Sequence, residues 1–334
     1  MCKLLRDPQY DSFRLSLLLT GTMLITVGLT ALSGLAHAQQ KFPTKPVRIV
    51  TVGAGSQNDI LARLIGPKLS EGWGQPVIIE NRAGAGGTMA ALTVVKATPD
   101  GYTALMLSNQ FSIGAALHAN LPYDAVKDFA GISQIGVATV AVVVPPPLGV
   151  KSVKELIALA RARPAPLLFS SAGAGSGTHL NCEMFRVAAD IKAVHVGFRS
   201  SSEASIEVAA GRVQYSVLPL GPALPFIKDG RLVALAVANQ RSPLLPDVPA
   251  VLEVLPNYER AGSFGMLAPA GTPRPVLHQI SKEVTRVLDL PDVKERLQAM
   301  GFVPSSSTPE AFEKMVRTDI EIFTRMAKIA GLRK

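Results

Sequence analysis

Short β-branched runs alternate with stretches whose apolar residues recur every three to four positions. Val47–Val52 is the first such run. It ends in Gly53-Ala54-Gly55-Ser56-Gln57-Asn58. Ile60, Leu61, Leu64, Ile65 and Leu69 then line one face of a predicted helix, with Asn58 or Asp59 as its N-cap. The rhythm repeats: a strand at Val77–Glu80, a glycine-rich loop, a small-residue helix at Met89–Lys96, a turn at Pro99-Asp100-Gly101 and a strand at Tyr102–Leu107. Val137–Val144, ended by three prolines, reads as a crossing between domains. Beyond it lie a capping box at Ser152-Val153-Lys154-Glu155 heading a helix over Val153–Ala162, a strand at Leu167–Ser170, the loop Ser171–Thr178 and a helix beginning near His179. Strands follow at Val194–Phe198, Val213–Leu218 and Leu232–Ala238, and Phe264–Ala268 reads as the return crossing. Helices at Pro275–Leu288, Asp292–Met300 and Pro309–Ala330 close the chain, the last with Thr308 as N-cap and Pro309 at its first position. Such alternation predicts an α/β protein with mixed sheets flanked by helices. Crossing and return divide it into a discontinuous domain 1 (39–140 plus 264–334) and domain 2 (141–263), joined by two hinge strands around a cleft.

The first residues follow another pattern. Lys3, Arg6 and Arg14 precede an apolar stretch from Leu15 to Leu35, and Ala36-His37-Ala38 supplies small residues for cleavage. These are the three parts of a secretory signal peptide over 1–38, which places the mature chain in the periplasm. An uncleaved membrane anchor is the other reading. Composition removes several function classes. The 334 residues carry a net charge of +9, yet the basic residues are scattered and there is one Trp, so neither a nucleic-acid patch nor a stacking platform shows. Two Cys exclude a disulfide scaffold, and no Cys/His set has zinc spacing. No G-x-x-x-x-G-K-[ST] and no H-E-x-x-H is present. The glycine loop 173–177 lacks the dinucleotide spacing, and Ala174 breaks the G-x-S-x-G frame at Ser176. No metal, cofactor or catalytic residue is expected.

Several ordered strings remain: Lys45-Pro46-Val47-Arg48-Ile49-Val50, Gly74-Gln75-Pro76-Val77 running on to Asn81-Arg82-Ala83-Gly84-Ala85-Gly86-Gly87, Pro99-Asp100-Gly101-Tyr102-Thr103, Leu121-Pro122-Tyr123-Asp124, Leu245-Pro246-Asp247-Val248-Pro249 and Leu267-Ala268-Pro269-Ala270-Gly271-Thr272-Pro273. From about residue 41 to 330 the chain resembles the Bug (TctC-like) substrate-binding proteins of tripartite tricarboxylate transporters. The resemblance implies a two-domain, type II-like periplasmic binding-protein fold. It also implies capture of a small organic anion in an interdomain cleft for delivery to membrane permease subunits. The ligand is left open among dicarboxylates, tricarboxylates, acidic amino acids and aromatic carboxylates. A ligand-loaded signalling adaptor for a sensor kinase, or an exported hydrolase, are the alternatives.

Three strand-to-helix loops carry the expected site, because helix N-termini and glycine-rich backbone offer N–H groups to a carboxylate. In the first loop Ser56, Gln57 and Asn58 add side-chain donors, while Asp59 caps the helix or touches ligand. In the second, Ala83, Gly84, Gly86 and Gly87 match the family, either as ligand contacts or as a plain turn. Ser108 and Asn109 sit where similar proteins carry small polar residues. In the third, Ser171, Ala172, Ser176 and Thr178 offer donors, and His179 packs or caps rather than binds. Phe198, Arg199 and Ser200 replace a Pro-Tyr-Lys-Gly-like family string. Arg199 is then either a bidentate carboxylate clamp or solvated surface. Pro219 ends a strand expected to line the cleft.

Overall fold

The computed structural model describes residues 42–238, 240–259 and 262–333. The signal peptide read at 1–38 lies outside them. Residues 43–334 form one compact unit. In chain order its elements are β1 (Val47–Thr51), α1 (Gln57–Trp73), β2 (Val77–Asn81), α2 (Thr88–Val95), β3 (Thr103–Leu107), α3 (Asn109–Leu117), β4 (Phe129–Ala138) and β5 (Val140–Val144). They continue with α4 (Val153–Ala162), β6 (Leu167–Ser171), α5 (Gly177–Ala188), β7 (Ala193–Gly197), α6 (Ser201–Ala209), β8 (Ser216–Pro219), α7 (Leu220–Lys228) and β9 (Val233–Val237). Last come α8 (Val251–Val254), β10 (Ser263–Pro269), α9 (Arg274–Leu288), α10 (Pro291–Ala299), β11 (Phe302–Pro304) and α11 (Pro309–Ile329).

Two lobes result. The first is built on a six-stranded sheet, β11-β4-β10-β3-β1-β2. Its β1 runs parallel to β2 and β3, while β10 is antiparallel to β3 and β4, so the sheet is mixed. The second lobe holds the antiparallel trio β8-β5-β9 and the parallel pair β6-β7. A bridge between Phe169 and Tyr215 joins its two parts. The fold is the mixed α/β, two-domain arrangement the alternation implies.

The expected crossing strand is corrected by the structure. Val137–Val144 is not one strand: β4 ends at Ala138 and β5 begins at Val140. Thr139 is pulled out of both sheets, its N–H donating to the Gly301 carbonyl and its own carbonyl accepting from Leu220. Most of β4 lies upstream, in a segment whose glycines hide its β character. Those glycines are needed. A Cβ on Gly131 would sit 2.5 Å from the Pro309 carbonyl oxygen, so α11 can lie directly against the strand. The return crossing is fixed by Asp319 of α11, whose buried carboxylate accepts N–H bonds from Gly262 and Ser263 at 3.2 and 2.9 Å.

Apolar packing is continuous where the lobes meet. Ile113 and Ala116 of α3 and Ile322, Phe323 and Met326 of α11 belong to the same buried cluster as Leu180, Met184, Phe169 and Tyr215 of the second lobe.

Candidate functional site

Five helices begin at the carboxyl ends of strands and aim their N-termini at one place. Gln57 opens α1 after β1, and Asn109 opens α3 after β3. Across the gap Gly177 opens α5 after β6, Ser201 opens α6 after β7, and Pro219 precedes α7 at the end of β8. All five residues line a single pocket of about 150 Å³, completed by Thr178, Asn181, Tyr258, Gly262, Phe264 and the apolar residues of the crossing. The crevice beyond the strand carboxyl ends is where open α/β sheets bind ligands. Each helix end contributes partial positive charge and unpaired N–H groups. No charged side chain is among the pocket's described lining residues. Among the described residues, then, the positive potential of the pocket comes from backbone dipoles, a setting that favours a small anion. It is also narrow: a Cβ on Gly177 would stand 3.2 Å from Asn109 Nδ2 across the gap.

Other expected residues hold the loops that hold the helices. Ser56 Oγ accepts from Asp59 N–H at 3.2 Å. Asp59 is buried, receives N–H bonds from Gly55, Arg63 and Asn81, and so ties the first loop to β2. Burial by itself would raise its carboxyl, but these hydrogen bonds and the Arg63 charge hold it below the usual carboxylate range. Asn58 is spent on the Met106 carbonyl at 3.0 Å. Both are scaffold rather than free donors. Gly84, Gly86, Gly87 and Ser108 line a separate cavity of about 360 Å³ within the first lobe, with Asn58, Phe111 and Tyr123, while Ala83 is exposed and lines neither pocket.

The third loop is wired internally. Thr178 Oγ1 accepts from Ala172 N–H at 2.9 Å, and Ser176 Oγ accepts from His179 N–H at 3.2 Å. Ser171 Oγ lies 2.6 Å from His195 Nε2. His179 caps the loop, its Nδ1 accepting from Gly175 N–H at 3.1 Å, and its ring stacks on His195 with centroids 3.7 Å apart. Burial and the neighbouring His195 push the His179 pKa down to about 4. Cys182 is wholly buried, and burial pushes its thiol up to about 12, so it is a packing residue without nucleophilic character.

In the segment 198–200 the half-buried Phe198 donates its N–H to Ser171, and Ser200 caps α6 by accepting from Glu203 N–H. Arg199 is exposed, lies outside the pocket lining and donates its backbone N–H to Glu203 at 2.9 Å. Of the residues singled out in the sequence, the structure brings Gln57, Asn109, Thr178 and Pro219 together in the pocket. Asn181, Ser201 and Tyr258 join them without having been singled out. Ser201 was signalled by its place just after the Ser200 cap. Nothing local in the sequence marks Asn181 or Tyr258.

A family model described as "Tripartite tricarboxylate transporter family receptor" (TctC) matches residues 61–332. The chain belongs to the TctC family. It is 32% identical over 318 residues to a UPF0065 protein of Bordetella bronchiseptica, covering 94% of each chain. Among solved TctC-like structures, R. palustris Rpa4515 with adipate is 31% identical, with a TM-score of 0.69 over 87% of this chain and 98% of that one. MatC from Rhodopseudomonas palustris with bound malate is 29% identical, with a TM-score of 0.66 over 85% and 99%. TctC proteins are solute-binding proteins of the periplasm, not enzymes. Among the described residues of this member, no helix is long and apolar enough to cross a membrane.

Proposed function

We propose that this TctC protein is an extracytoplasmic receptor that captures a small organic carboxylate between its lobes and hands it to permease subunits in the membrane. One observation carries the reading: five strand-to-helix junctions present their N-termini to one small pocket with no charged side chain among its described lining residues. The ligand carboxylate meets Gln57 and Asn109 on the first lobe and Gly177, Thr178 and Ser201 on the second, so it bridges the two lobes. A partly buried helix N-terminus is worth up to about 2 kcal/mol to an anion, and several act at once. Bridging makes the closed form the one the ligand stabilises. The moving bodies in this reading are 39–140 with 264–334, and 141–263. Adipate and malate in the two R. palustris structures support a carboxylate of this size. Export through cleavage after Ala38 completes the proposal.

The test is a thermal-shift panel of aliphatic and aromatic carboxylates, amino acids and neutral controls. The protein is first unfolded and refolded to shed any copurified ligand. A carboxylate at a hundred times its Kd adds about 2.7 kcal/mol, a rise of a few degrees. A rise with a neutral compound and none with any carboxylate overturns the reading.

A further inference from the structure

Two lining residues of the pocket carry polar groups that the fold does not bind, although the Tyr258 ring packs in the core. Asn181, on α5 one turn beyond its N-terminus, and Tyr258, in the returning chain before β10, are 8% and 5% exposed. No hydrogen bond among the described residues engages either side chain, and both residues line the pocket. A polar group that faces a pocket without a partner in the fold is free to orient a ligand there. Burial raises the Tyr258 phenol, so it stays a neutral O–H. The neighbouring lining residues, Ala138, Val140, Ala238 and Phe264, offer no polar side chain.

We propose that Asn181 and Tyr258 are the specificity-determining residues of this cleft. They read a second oxygen function (hydroxyl, oxo or carboxyl) on the captured acid and reject an amino group at that position. The proposal rests on the carboxylate reading of the pocket and narrows its substrate class. An ammonium group needs an anionic or several carbonyl partners. The described lining holds no carboxylate, and the five helix N-termini repel a cation. An oxygen function needs a donor, which the Tyr258 O–H and the Asn181 NH₂ both supply, while the acceptor lone pairs of the same two groups take the proton of a hydroxyl. A site built to hydrogen-bond a substrate oxygen discriminates against the analogue lacking it, because its own groups are then left unpaired.

The experiment is isothermal titration of the refolded protein with matched acids of three to six carbons. Each carries hydrogen, hydroxyl, oxo, carboxyl or amino at one position, malate, succinate and aspartate being one such set. The variants Tyr258→Phe and Asn181→Ala are titrated beside the parent chain, and each is checked by its ligand-free thermal unfolding. The expected result is preference for an oxygen-bearing member. Each variant should lose about tenfold in affinity for that member. Affinity for the hydrogen analogue should hold, so the ratio between the two collapses. Preference for the amino or hydrogen member, or an unchanged ratio in both variants, overturns this inference while leaving the carboxylate receptor intact. Absence of binding by every acid in the series and in the wider panel overturns the receptor reading itself, and this inference with it.

Discussion

At the scale of single residues, the second lobe's interior holds a hydroxyl that the fold does not use. Tyr215 is fully buried beside Phe169 and Phe185, and its O–H has no partner among the described residues. Tyr215→Phe keeps the ring and removes the orphan, so the variant should be neutral to about 1 kcal/mol more stable, read from the urea midpoint at constant m-value. Loss of about 2 kcal/mol or more would mean the hydroxyl is paired in solution. His179 makes the opposite case. Its Nδ1 must stay unprotonated to accept from Gly175, and protonation would also place charge against His195, whose own pKa burial lowers. Glu183 and Arg186 are the charges nearby. The unfolded imidazole takes up its proton near 6.5, the folded one only near 4. The unfolded chain therefore binds more protons between these values. Stability is fully present above about pH 6.5 and drains as pH falls toward 4, by roughly 2–3 kcal/mol. Replacing His179 by Gln, which keeps an acceptor but does not titrate, should flatten urea midpoints across that window; an unchanged slope would remove His179 as its source. The cap of α1 was misplaced in the sequence: Asn58 or Asp59 was expected there, and Ser56, Ser176 and Thr178 were expected to offer donors to ligand. The structure makes Ser56 and Ser176 the caps, because each stands three residues before the N–H it accepts, and puts Asn58 and Asp59 inside the helix. Asn181 and Tyr258 were not legible, because what makes them notable is the absence of a partner in three dimensions.

At the scale of elements, helices with a clear apolar period or a capping box were readable and short helices without either were not. The capping box at Ser152–Glu155 heads α4 over the expected Val153–Ala162, and Thr308 caps α11 as expected. By contrast α7 carries Pro222 and Pro225, and its N-cap is Pro219, so its sequence looks like loop. It forms because Pro222 falls in the first turn, where no N–H is needed, and because Leu220 and Ala223 are buried against the sheet. That tertiary burial is invisible locally, which is also why α3 escaped the periodicity; α6 escaped it despite its Ser200 cap, because its buried face is Ala204, Ser205 and Val208. Capping gives an element-scale comparison. Ser152 and Ser176 each accept an N–H bond three residues on, from Glu155 and His179 at 3.2 Å. Ser152→Ala and Ser176→Ala should each cost about 1 kcal/mol in chemical denaturation. Only Ser176→Ala should also weaken carboxylate binding, because α5 delivers Gly177, Thr178 and Asn181 to the pocket while the cap of α4 delivers nothing. Equal affinities in the two variants would detach the α5 N-terminus from the ligand.

At the scale of the whole molecule, the cleft is held by two different kinds of contact. Near the hinge, α3 and α11 of the first lobe share a buried apolar cluster with α5 of the second, so the lobes are fastened there without ligand. Beside the crossing strands the helix N-termini face one another across a small pocket, and in the proposed function an anion between them offsets five partial positive charges brought together. In the proposed function, motion is a pivot about the packed cluster that opens the N-termini and closes them on the ligand. Alternation of strand and helix predicted two lobes, but not that the core runs through the hinge, since that depends on which helix faces meet. Gly177 tests the closure. It has ordinary helical backbone, so a side chain there strains nothing locally, yet its Cβ would come within 3.2 Å of Asn109 Nδ2 and 3.7 Å of Ile113 Cδ1 on the opposite lobe. Gly177→Val places two methyl groups in that gap. The ligand-free protein relieves the clash by a small opening between α3 and α5, so its thermal unfolding should move by no more than a few degrees. Closure over a ligand cannot be relieved in that way. Carboxylate affinity should fall at least tenfold, about 1.4 kcal/mol or more, and the ligand-induced fall in radius of gyration by X-ray scattering should shrink with it. Wild-type affinity in the valine variant would mean that the ligand binds without drawing the two lobes together.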